Sequence, residues 1–173
     1  MIQTNITMES QVGISPKKWG PHFWQTLFFT GLNYPVSINP KNKCHTTLRS
    51  QYKAFYGSLQ YTLPCIFCLE SYRRFWKEEP IEKYLDSRAS LMKWLYILKD
   101  KVNKKLIHQE RQTFLSKKRE LKEKYISKFG TKWNKATELQ FENAVDKLKG
   151  RIQKTKPSPT WKQAQEYFTH LRS

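Results

Sequence analysis

Apolar residues recur along this chain at intervals of three and four, the period of a helix lying on a core. Trp19, Phe23, Leu27 and Gly31 form the first series. Ser15-Pro16 precedes it, a capping serine followed by a proline whose φ suits a first turn. Tyr34-Pro35 ends it. Residues 36–45 carry no period, and Asn39-Pro40 signals a turn. Leu48, Tyr52, Phe55, Tyr56 and Leu59 predict a second helix from about Thr46 to Leu63. Pro64 breaks that series and starts a third helix, which carries Cys65 and Cys68 and then Tyr72, Phe75 and Trp76. Glu78-Glu79-Pro80 closes it, and Ile81 to Leu85 reads as a short turn. Ser87 caps a fourth helix with a narrow stripe of Leu91, Leu95, Leu98 and Val102. No run alternates as a half-buried strand would, so the expected class is all-α.

From Ile107 to about Lys154 the chain is dense in lysine yet still periodic. Phe114, Leu121, Tyr125 and Phe129 predict one amphipathic helix. Gly130-Thr131 predicts a turn, and Phe141, Val145, Leu148 and Ile152 a second helix. The pair reads as a helical hairpin laid against the main bundle. Pro157-Ser158-Pro159 punctuates the chain before a last short helix with Trp161, Tyr167 and Phe168. The expected organisation is a polar leader at 1–14, a core at 15–106, the basic hairpin at 107–154, and a return to the core at 155–173.

Composition narrows the function classes. The chain has 173 residues, 38% of them hydrophobic and 14% aromatic, enough for a packed domain. No apolar run is long enough to span a bilayer, and no secretory signal is expected at the N-terminus. The formal net charge of +18 favours polyanions and acidic partners in general. No finger, basic-zipper or RNA-recognition signature accompanies it, so a nucleic-acid partner stays without support beyond charge. The three cysteines, Cys44, Cys65 and Cys68, cannot build a framework of several bridges.

Cys65 and Cys68 lie three apart at a predicted helix N-terminus, where two sulfurs come within bonding reach. The first-turn N–H groups and the helix dipole favour a thiolate there, the attacking form in disulfide exchange. Arg73 and Arg74 add positive charge further along. Three readings compete. Structural zinc wants four ligands; Cys44 and the scattered His22, His45, His108 and His170 are the remaining candidates, and adjacent Cys44-His45 chelate poorly. A thioredoxin-like motif needs a βαβ surround that the helical flanks lack. A dithiol–disulfide pair in a helical oxidase needs an electron sink beside it, which a flavin supplies. Trp19, Phe23, Trp24 and Phe28 read equally as bundle core, and Cys44 reads as an inert small residue.

Taken together, several segments resemble the Erv/ALR family of FAD-linked sulfhydryl oxidases. Trp19-Gly20 followed by Trp24 resembles the opening helix. Leu63-Pro64-Cys65-Ile66-Phe67-Cys68 resembles the aromatic-Pro-Cys-x-x-Cys segment. Ser87-Arg88, Trp94-Leu95 and then Lys99-Asp100-Lys101-Val102-Asn103-Lys104-Lys105-Leu106 resemble the cofactor helix. Lys156-Pro157 and Tyr167-Phe168 resemble the closing Gly-Lys-Pro and terminal aromatic. The resemblance spans residues 17–106 and resumes at about 155–168. A histidine late in the family's first helix is Phe28 here, and its His-Asn on the fourth helix is Lys99-Asp100. The 107–154 hairpin has no counterpart in it.

The resemblance implies a four-helix bundle that binds FAD, with a short fifth helix and the hairpin inserted before the C-terminal segment. It implies Cys65 and Cys68 as the catalytic pair, with Cys65 attacked by substrate and Cys68 beside the flavin. It gives FAD contacts to Lys18, Trp19, Gly20, Trp24 and Phe28 on the first helix. On the fourth helix it gives them to Lys99, Asp100, Val102, Asn103, Lys104, Lys105 and Leu106, and near the end to Lys156 and Phe168. No metal is implied. The implied partners are protein dithiols, such as a thioredoxin-like carrier, dioxygen as acceptor with hydrogen peroxide as product, and a second copy in a homodimer. A member from a large DNA virus, in host cytoplasm or virion, suits the absent signal and few cysteines best. The rival reading is a basic nucleic-acid- or partner-binding helical module whose cysteine pair is structural or zinc-binding.

Overall fold

The computed structural model describes residues 15–171; the leader expected at 1–14 lies outside them. Among the described residues the secondary structure is helical and no strand occurs. The helices are α1 (Pro16–Leu32), α2 (Lys43–Thr62), α3 (Ile66–Glu78), α4 (Arg88–Phe129), α5 (Lys135–Ile152) and α6 (Trp161–His170), with 3-10 turns at Ile81–Tyr84 and Gly130–Lys132. The all-α expectation holds. The chain forms two compact units, one from residues up to Lys99 together with Pro159 onward, the other Asp100–Ser158.

The first unit is built from α1, α2, α3, α6 and the first turns of α4. Leu27 and Gly31 are the buried end of the α1 series, while Trp19 and Phe23 stay half-buried. Gly31 matters for its missing side chain: a Cβ there would stand 2.7 Å from Leu95 Cδ1 and 2.9 Å from Met92 Sδ. The backbone of α1 therefore rests directly on α4. Pro21, inside α1, cannot donate to the Lys17 carbonyl and loosens that turn. The second helix starts three residues before the expected Thr46, because the Asn42 side chain accepts from the N–H groups of Cys44 and His45 and caps it.

Tyrosine hydroxyls tie these helices together. Tyr72 donates to the Tyr56 carbonyl at 2.9 Å, Tyr56 to Leu27 at 3.0 Å, Tyr52 to Thr30 at 3.0 Å and Tyr34 to Leu85 at 2.8 Å. Each ring fills apolar space while its one polar atom finds an acceptor. Trp94, fully buried, donates from Nε1 to the Glu79 carbonyl and meets Tyr56 and Trp76 edge-on. Arg88 closes the corner before α4 by donating from Nε to the Tyr34 carbonyl at 2.6 Å. Ser87 caps α4 as expected, its Oγ accepting from the Ser90 N–H.

The second unit holds the rest of α4, all of α5 and the strap that follows. The expected first helix of the hairpin is the uninterrupted continuation of α4 to Phe129. Neither proline nor glycine lies between Val102 and Phe114 to stop it, and the two cap-type side chains there bond elsewhere, Asn103 to Ser158 and Thr113 back to the Gln109 carbonyl. Gly130, at φ +46°, makes the turn, and Asn134 caps α5 by accepting from the Thr137 N–H. Tyr125, Trp133 and Phe141 gather at this end, with Tyr125 5.5 Å from Phe141. At the other end Glu110 accepts from the N–H groups of Lys154 and Thr155 and from the Thr155 hydroxyl, at 3.0, 2.9 and 2.7 Å.

Candidate functional site

The cysteine pair sits where α3 begins. Cys65 is the N-cap residue in extended conformation, and the helix proper starts at Ile66, two positions later than the expected start at Pro64. The Cys65 carbonyl accepts from the N–H groups of Cys68 and Leu69, at 3.0 and 2.9 Å. Cys68 is therefore fixed on the first turn and Cys65 stands just ahead of it. Both are half-buried, so exposure alone does not single out Cys65 as the attacked sulfur. Leu69, Tyr72 and Phe75 anchor the helix beneath them. Phe67, between the two cysteines, is 70% exposed, and Tyr61 at the end of α2 is 74% exposed. The Arg73 guanidinium lies 5.5 Å over the Tyr61 ring and donates from Nε to the Gln60 carbonyl at 2.7 Å.

A second feature of the same unit is a run of flat rings edged by a cation. Trp24 and Phe28, one turn apart on α1, have centroids 6.0 Å apart at an interplanar angle of 34°. Phe28 lies 5.1 Å from Phe168 of α6, again at 34°. Phe168 continues to Trp161 at 6.4 Å, and Trp161 to Tyr96 at 5.2 Å. Lys99 Nζ sits 5.3 Å over the Trp24 ring. Burial lowers its affinity for a proton below that of an ordinary lysine. Beside the run, Leu32, Met92, Arg88, Trp161 and Phe168 line a cavity of about 320 Å³. Trp19 lies edge-on to Phe23 at 5.5 Å. Gly20 is half-buried with open space where a Cβ would stand, and Lys18 is exposed.

The remaining candidates belong to the second unit. Asp100 pairs with Lys104 across one helical turn at 2.6 Å. The Asn103 amide donates to Ser158 Oγ at 2.9 Å. Val102 and Lys105 are half-buried, while Leu106 and Lys156 are exposed. Within each unit the structure thus gathers part of the candidate set. It joins Trp24, Phe28, Lys99 and Phe168 in one, and Asp100 with Lys104 in the other. Among the described residues, no three His, Cys, Asp or Glu side chains come together as a metal site requires.

An aromatic run with one desolvated ammonium at its edge is a donor set suited to a flat ring system carrying an anionic tail. The Erv1/Alr family matches residues 21–126, well over half of the chain. The chain belongs to the Erv1/Alr family. No curated protein matches the chain. Membership indicates sulfhydryl oxidase activity, which in the Erv1/Alr family is generally linked to FAD. The match covers Cys65 and Cys68 and runs along α4 beyond Leu106; Trp19, Gly20, Lys156 and Phe168 lie outside it. Among the described residues no helix is long and apolar enough to cross a membrane.

Two contributors escaped the sequence. Tyr96 donates its hydroxyl to the Pro159 carbonyl at 2.7 Å, and Lys93 stands 4.5 Å over Trp161. Together they seat the start of α6 and so place Phe168. Their partners lie more than sixty residues away, and no local pattern announces such a pairing.

Proposed function

We propose that this protein oxidises dithiols of protein substrates through Cys65 and Cys68 and delivers the electrons to dioxygen by way of FAD. The observation that carries the reading is the pair's setting, one cysteine as N-cap and the other on the first turn of a helix, in a chain of this family. A substrate thiolate attacks Cys65 Sγ of the Cys65–Cys68 disulfide, and Cys68 leaves as the thiolate. A second substrate thiol attacks the mixed disulfide, releasing substrate as a disulfide and leaving Cys65 and Cys68 as a dithiol. Bound FAD supplies the two-electron acceptor for that dithiol, with dioxygen as final oxidant and hydrogen peroxide as product.

The chain's own residues bind and orient. Trp24, Phe28 and Phe168 offer stacking faces, and Lys99 offers positive charge to an anionic or ribose part of the cofactor. The contacts proposed for Lys18, Trp19, Gly20, Asp100, Val102, Asn103, Lys104, Lys105, Leu106 and Lys156 rest on the family resemblance at those positions. We also propose a homodimer through α1 and α2, where Phe29 and Phe55 are exposed apolar residues.

The purified full-length chain is expected to be yellow, to retain flavin through gel filtration, and to produce peroxide when given dithiothreitol and oxygen. Cys65→Ser and Cys68→Ser should each abolish turnover of a reduced protein substrate while leaving the flavin bound. A colourless protein that makes no peroxide would sink the reading. Sedimentation that shows only monomer would remove the dimer alone.

A further inference from the structure

The groove between α4 and α5 has a construction that the redox reading does not use. Lys117, Leu121 and Lys124 face it from α4, and Ala144, Lys147, Leu148 and Arg151 from α5. The spacing is three and four on both helices, so each contributes one continuous face. The open recess has a volume of about 390 Å³. The two helices are pinned together by the Tyr125–Trp133–Phe141 cluster near the turn and bridged by Glu110 to the strap at the far end. Between these pins the floor is Leu121, Ala144 and Leu148, and the short Ala144 leaves the recess open. The rim carries four cations against one carboxylate, Glu120, which is bonded to Lys117 at 2.8 Å.

We propose that this groove docks an acidic amphipathic helix of a partner protein. Two antiparallel helices with an apolar seam accept a third helix along it, its leucines on the floor and its carboxylates on the rim. Charge selects among occupants. A second copy of this hairpin would set lysine against lysine. A phosphate backbone or an anionic membrane surface would satisfy the rim but leave the recessed leucines unused. Only an occupant that is acidic and apolar on one face satisfies both features. The inference is independent of the cysteine chemistry.

The test uses the full chain and a labelled synthetic helix with leucines at three- and four-residue spacing and glutamates beside them. Polyglutamate, single-stranded DNA and phosphatidylserine vesicles serve as comparison probes. Binding of the helix is expected, weakened about tenfold or more by the pair Lys124→Glu and Lys147→Glu. A similar loss is expected from Ala144→Leu, which fills the floor without changing charge. The comparison probes should respond to the charge reversal and ignore Ala144→Leu. Circular dichroism and peroxide production from dithiothreitol should stay unchanged. If the charge reversal unfolds the hairpin, Ala144→Leu decides alone. Failure of the helix to bind, or binding that Ala144→Leu leaves intact, overturns the proposal. So does loss of DNA or vesicle binding in Ala144→Leu.

Discussion

Single atoms set two of the tightest constraints in this protein. At Gly31 the absence of a Cβ lets α1 lie on Leu95 and Met92, both buried. A helix interior ordinarily prefers alanine to glycine by about 1 kcal/mol, so only the close approach explains the residue. Gly31→Val adds two methyl groups where one carbon already clashes. It should destabilise the fold by about 1–3 kcal/mol, read as a lower denaturant midpoint; an unchanged midpoint would show that α4 yields freely. At Lys99 the ammonium over Trp24 is partly desolvated, a state that an anionic ligand relieves. Lys99→Met is therefore expected to weaken FAD binding by about tenfold, measured by flavin released on dialysis. Equal retention in the variant would mean that Lys99 serves packing alone.

Elements divide into those the sequence announces and those that tertiary contacts decide. The hydrophobic period made α1, α2, α3 and the start of α4 legible, because each buries one face and the period survives burial. The Ser87 cap was legible too. The start of α2 was not, since Asn42 sits in a stretch without period and acts through a single side chain. The length of α4 was obscured by composition. A change from apolar to lysine-rich looks like a boundary, yet lysine is a good helix former and nothing breaks the backbone there. Of the site, the cysteine pair could be read directly from its spacing. The contact of the Phe28 ring with Phe168 could not, because it joins residues 140 positions apart. The Glu110 bridge belongs to the same class of long-range contact. Its carboxylate accepts three hydrogen bonds from Lys154 and Thr155, and bonds to a charged group contribute about 1.5–3 kcal/mol each. Glu110→Ala should release the strap, with amide exchange at Lys154 and Thr155 faster by at least about tenfold. Unchanged protection at those two amides would assign the strap's order to other contacts.

Across the first unit the buried tyrosines make stability depend on alkaline pH. Burial pushes the phenols of Tyr56 and Tyr72 far above their ordinary value, and those of Tyr34 and Tyr52 upward as well. The unfolded chain loses these protons near pH ~10, while the folded chain keeps them. Above that pH the folded state binds more protons, so stability falls by about 1.4 kcal/mol per pH unit for each fully protected phenol. Below it their contribution is complete and flat. Lys99 works in the opposite direction. Its depressed affinity for the proton means that the folded state sheds one first, so stability rises with pH up to ~10.5 and then levels. Tyr72→Phe should therefore cost about 1 kcal/mol at neutral pH, for the lost hydrogen bond to the Tyr56 carbonyl. It should also flatten the fall above pH ~10 by about 1.4 kcal/mol per unit relative to the unaltered chain. Denaturant midpoints taken across that range for both proteins provide the measurement. Parallel curves would mean that Tyr72 ionises in the folded state, and that the hydroxyl ties between α1, α2 and α3 open before the helices separate.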